Sequence, residues 1–216
     1  MTPAAPRDSF IRFAPLSGLA VFILFALGNL LWSIDIPATD AGGAELAAFY
    51  EDRSTRILVG ASLSILAIVL FVWFSALLRD RLEAELGERG ASLPTAAFGG
   101  AILAFTVGLG AETINMAGAL RAASDGGIGP DTAQAYFDIS QILGFNAAGV
   151  GLAALIAATS VATIRGSRIL PPALVVPALI LAVTLLIPVV VRFTLLLAIL
   201  LLPVYSIRLY RLGEAD

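Results

Sequence analysis

Five side chains have the types and spacing to do chemistry within otherwise apolar stretches: Glu112, Asn115, Asp138, Gln141 and Arg192. Glu112 and Asn115 lie three positions apart, as do Asp138 and Gln141, a spacing that puts each pair on one face of a helix. A carboxylate pair such as Glu112 with Asp138 has the oxygen donors to hold a cation or to move a proton. Arg192 is the only charge between Pro172 and Ile207. Either it reaches lipid headgroups on its long stem, or it pairs with Glu112 or Asp138 and offsets the desolvation of both. A charge at the bilayer centre costs about 2.5–3.5 kcal/mol on insertion scales, so such groups mark either packed helix contacts or a working site. Two readings stay open: polar groups hydrogen-bonded across helices, or a polar pocket facing outward.

What is missing narrows the chemistry further. The chain has no Cys, no His and no Lys, and all 13 basic residues are Arg. That removes thiol nucleophiles, disulfides, thiolate metal sites, the commonest general base and the P-loop or Schiff-base lysine. Ser62 and Ser64 do not form a nucleophile elbow, and no base stands by to activate them. No metal or other cofactor is therefore expected, and an enzyme, for instance one acting on lipid, is the third choice. With 16 acidic residues the net charge is −3, and no basic stretch offers a nucleic-acid footprint. Arginine as the sole base beside abundant alanine fits the coding bias of a high-GC bacterium.

These residues must be positioned by membrane helices. Of 216 residues, 59% are hydrophobic and 13% charged, with a mean hydropathy of +0.95. A soluble domain is about 25% charged. Six apolar segments approach the roughly 20 residues of a span: 14–34, 57–78, 95–120, 135–163, and a pair, 172–189 and 193–207, that must fold back near Pro188 to Arg192. The fold expected is an all-α, six-helix polytopic bundle forming one transmembrane domain over 1–216. Residues 39–56 carry Leu46, Phe49 and Tyr50 at i, i+3, i+4 beside acidic neighbours, which reads either as a short amphipathic helix on the outer membrane surface or as an extension of the second span.

The arginines set the expected orientation. With the N-terminus inside, Arg7, Arg12, Arg79, Arg81, Arg89, Arg165, Arg168, Arg208 and Arg211 are inside, and Arg53, Arg56, Arg121 and Arg192 are outside. That asymmetry predicts a cell-membrane protein with both termini cytoplasmic. The polar residues of the spans, including Asn29, Trp32, Asp35 and Asn146, then gather in the outer half.

Small residues form stripes beside them. Gly100, Ala101, Ala104, Gly108, Ala111, Glu112, Asn115 and Ala119 share about a third of a helix circumference; Gln141, Gly144, Ala147, Gly151, Ala154 and Ala158 make a second stripe, and Gly60, Ser64 and Ala67 a weaker third. Such stripes predict close helix packing, with Gly108 among the tight positions.

The run Ala44-Glu-Leu-Ala-Ala-Phe-Tyr-Glu-Asp-Arg-Ser-Thr-Arg-Ile57, then Trp73-Phe-Ser-Ala-Leu-Leu-Arg-Asp-Arg81 and Ala97-Phe-Gly-Gly100, resembles uncharacterised multi-pass membrane proteins of actinobacteria built around a domain of unknown function. The resemblance implies the six-span layout and carries no activity. The expected function is a non-enzymatic binding or accessory membrane subunit, partnered by the lipid bilayer and by a small ligand or another membrane protein, with no nucleic acid. The alternative is a small transporter or proton-coupled channel using Glu112.

Overall fold

The computed structural model describes residues 13–90 and 92–215, and among them there is no β-strand. A 3-10 turn, Ala14–Leu16, leads into α1 (Ser17–Ser33), which is followed by α2 (Gly43–Leu86) and α3 (Ser92–Ala122). Next come α4 (Pro130–Gln141), a π-helical segment (Ile142–Ala147) and α5 (Ala148–Ile164), which run on as one rod. The chain ends in α6 (Pro172–Thr184), α7 (Val191–Ile199) and α8 (Leu201–Ala215). Of the arginines that set the expected orientation, Arg7 and Arg12 lie outside the described residues.

Local chemistry sets the boundaries. Gly87 ends α2 at φ +54 and Gly166 follows α5 at φ +111, conformations that glycine reaches without steric cost. Pro130 and Pro172 open their helices at the first position, where a missing N–H costs nothing. Pro203 cannot donate to the Ile199 carbonyl one turn earlier, which accounts for the break at Leu200 between α7 and α8.

The described residues form an all-α polytopic bundle with five to six long apolar helices. Five helical stretches are long and apolar enough to cross a membrane: Ala14–Ser33, Gly43–Leu86, Ser92–Ala122, Pro130–Ile164 and Val191–Gly213. Outward faces, α6 included, carry Val69, Trp73, Ile180, Val183, Phe193 and Leu196, each more than half exposed, an apolar belt suited to lipid. The sixth expected pass differs. α6 has 13 residues, about 20 Å, against a hydrocarbon core of about 30 Å. The chain turns at 185–190, so Arg192 belongs to the first turn of α7 rather than to the loop.

Residues 43–56 resolve the other open choice. They are the leading turns of the continuous 44-residue α2, not a separate surface helix. Leu46, Phe49 and Tyr50 turn inward, joining Trp32, Ile57, Ala119, Ile128, Ala133 and Phe137 in a small hydrophobic cluster. The apolar face read as membrane-facing is thus consumed by protein packing, chiefly against α4. We call the end holding this cluster, with the 34–42 and 123–129 connections, the upper end.

A larger cluster runs through the rest of the bundle around Val21, Phe71, Phe74, Leu78, Leu155, Ile156 and Tyr205. Helices close on one another at two glycine crossings. A Cβ on Gly28 or Gly60 would lie 2.6 Å from the other's carbonyl oxygen, and one on Gly100 would lie 2.7 Å from Gly151 O and Leu155 N. At the lower end Glu85 ties α2 to the turn after α5: it accepts from Ser167 Oγ at 2.7 Å and Arg168 N at 2.8 Å, and pairs with Arg81 at 3.2 Å.

Candidate functional site

The sequence-predicted polar residues separate into three groups. Glu112 is buried at 7% exposure on the inward face of α3, and its Oε2 has no hydrogen-bond partner. Ser64 of α2 is its polar neighbour, fully buried and within hydrogen-bonding reach of the carboxyl group. One turn higher, Asn115 Oδ1 accepts from Tyr50 Oη at 3.3 Å, which assigns Asn115 to the upper cluster. Gln141, at the last turn of α4, accepts a hydrogen bond from Arg192 Nη2, and the Arg192 guanidinium lies 4.9 Å from the centre of the Phe145 ring.

Two expected pairings are absent. Arg192 makes no ion pair with Glu112 or with Asp138 among the described residues, because Gln141 and Phe145 already occupy its guanidinium. Asp138 is exposed. The buried face of α4 runs through Ala133, Phe137, Ser140 and Gln141, and Asp138 stands one position past Phe137, off that face. There its carboxylate accepts from Gln134 Nε2 at 3.0 and 3.1 Å.

Glu112 lines a cavity of about 80 Å³ at the centre of the bundle. Every pass except α6 contributes to the wall: Phe25 and Asn29 from α1, Ile68 from α2, Phe105, Gly108 and Glu112 from α3, Gly144 and Phe145 from the π segment, Leu152 from α5, and Leu195 and Leu202 from α7 and α8. Asn29 and Glu112 are its only polar side chains, and Asn29 donates one amide N–H to the Phe25 carbonyl at 2.9 Å. Asn115, Asp138, Gln141 and Arg192 are not in the wall.

The cavity corrects one sequence expectation. A Cβ on Gly108 would meet nothing within 4 Å, so this part of the stripe is a wall and not a contact. The same holds across the space, where a Cβ on Gly144 would meet only Ala111 Cβ at 3.5 Å. The π segment lies where the two stripes part. A π turn inside a helix is rare and recurs at functional positions. It brings Gly144 and Phe145 to the cavity just below Gln141.

Sequence reasoning located Glu112, placed Ser64 only in a small-residue stripe, and missed the aromatic wall. The signal was present: Phe25 and Asn29 stand at i, i+4, and Phe105, Gly108 and Glu112 at i, i+3, i+7, each set on one helix face. Chemically, the arrangement is a buried carboxylate at the edge of an apolar hollow, without a nucleophile and base together, and with no group of metal-binding side chains among the described residues. The chain matches no known protein-family model, no curated protein and no solved structure.

Proposed function

We propose that this protein is a non-enzymatic integral membrane protein that binds a small ligand in its central cavity, alone or as an accessory subunit of a larger membrane assembly. One observation carries the reading: Glu112, buried and with no cationic partner among the described residues, lines a space that side chains leave open. Buried polar groups are almost always satisfied, and a bound molecule would supply the missing partner. The arginine bias supports a cytoplasmic membrane with both termini inside and the upper end outside. The likeness of residues 44–57 and 73–81 to actinobacterial membrane proteins supports a bacterial one.

Native mass spectrometry of the full chain released from membranes tests the binding reading. The wild type should retain a small adduct, and Gly108→Leu, which fills the hollow, should lose it. A bare mass in both would overturn the reading.

A second reading, a transporter or proton-coupled channel, draws on the same buried carboxylate, since an intramembrane acid is a standard relay group. Against it, the crossing of Gly100 on Gly151 closes the bundle below the cavity. Proton flux into proteoliposomes that vanishes in Glu112→Gln would replace the binding reading with this one.

A further inference from the structure

The polar complement of the cavity is dominated by acceptors. Glu112 offers carboxylate oxygens, and Asn29 uses one N–H of its amide on the Phe25 carbonyl, keeping its carbonyl oxygen and one further N–H. No other side chain in the wall carries a polar atom. A ligand matched to this wall brings N–H donors and a positive charge. The remainder of the wall is aliphatic or aromatic; of its rings, Phe145 already lies under the Arg192 guanidinium, and Phe25 and Phe105 are of the kind that attracts cations. An anion is disfavoured inside by Glu112. At the rim, the Arg192 guanidinium that would draw one is engaged by Gln141 and Phe145.

We infer that the ligand is a protonated primary or secondary amine on a small apolar body, its N–H directed to the Glu112 carboxylate and its carbons against Phe25 and Phe105. This rests on the cavity being a binding site. The size agrees: about 80 Å³ is several times the roughly 10–15 Å³ that admits one water on the same measure, room for an ammonium with a few carbons. The same chemistry has two sources, a free alkylamine or the ethanolamine headgroup of a phospholipid.

Calorimetric titration of the full chain in phosphatidylcholine nanodiscs, with n-butylammonium, 1-butanol and butyrate as probes of matched length, tests the inference. Butylammonium should bind at least tenfold more tightly than butanol, and butyrate should not bind. Glu112→Gln should remove that preference, and Gly108→Leu should block all binding in a protein that unfolds at the wild-type temperature. Changing the discs to phosphatidylethanolamine should raise the unfolding temperature of the wild type, but not of Glu112→Gln, if the headgroup is the source; an unchanged temperature assigns the chemistry to a free amine. Equal binding of butanol and butylammonium would overturn the amine assignment while leaving the cavity as a ligand site. No binding by any probe, with no headgroup effect, would overturn both.

Discussion

Along the seam of α3 with the π segment and α5, the lower and upper parts use the same small residues for opposite ends. Below, Gly100 and Gly151 bring α3 and α5 into backbone contact, with Thr159 Oγ1 bonded to Tyr205 Oη at 2.9 Å and Ser206 Oγ donating to Pro15 O at 2.7 Å. Above, Gly108 opens onto the cavity, Gly144 meets α3 only in ordinary contact with Ala111, and Glu112 has no cationic partner among the described residues. The difference teaches that a glycine in a membrane helix marks room, and only the facing helix decides whether backbone or a hollow takes it. Here the π segment marks the level of the change.

The largest effect should come from the lower half. Gly151→Leu drives a side chain into the backbone of Ala104 and the carbonyl of Gly100, so we expect a loss of more than about 4 kcal/mol, seen as failure to recover folded protein in detergent. Recovery at wild-type yield would erase the contrast between the halves. Next, Arg192→Ala strips Gln141, itself 9% exposed, of its donor. Thermal unfolding should report a loss of about 1–3 kcal/mol, the cost of a buried amide left unsatisfied.

Glu112→Gln should move the other way. A neutral isostere is cheaper in hydrocarbon than a carboxylate that has no cationic partner, so ligand-free protein should gain about 1–2 kcal/mol. A loss instead would reveal a stabilising partner for the carboxylate. Smallest of all, Gly108→Leu should shift unfolding by less than about 1 kcal/mol, since the new side chain enters free space. A collapse comparable to that of Gly151→Leu would mean that the upper stripe is packed after all.

The sequence made the bundle legible because hydropathy and arginine spacing are additive along the chain: five of the six expected passes follow from length and composition alone. α6 did not follow, because the continuous apolar run from Leu170 to Val191 hides where Leu185 to Val190 turn. Within the site, Glu112 and Ser64 stood out as polar residues on small-residue stripes, and helical spacing put them on inward faces. Asp138 was misplaced because its burial depends on the α4 face chosen by Ala133 and Phe137, a tertiary contact with α2. Gly108 was read as tight for a related reason. Whether a stripe meets backbone or vacancy depends on the path of the opposing helix, here altered by a π segment that no residue type announces.

One consequence of the long α2 is mechanical. At 44 residues it is a strut of about 66 Å, more than twice the hydrocarbon thickness, anchored at its head by Leu46, Phe49 and Tyr50 and at its foot by Glu85. The Gly28–Gly60 crossing sits near its midpoint and acts as a fulcrum. A tilt of about 5° would swing the two ends by about 3 Å in opposite senses, while Ser64, one turn from the fulcrum, would barely move. The residue beside the buried carboxylate thus lies within one turn of the stillest point of the longest helix among the described residues.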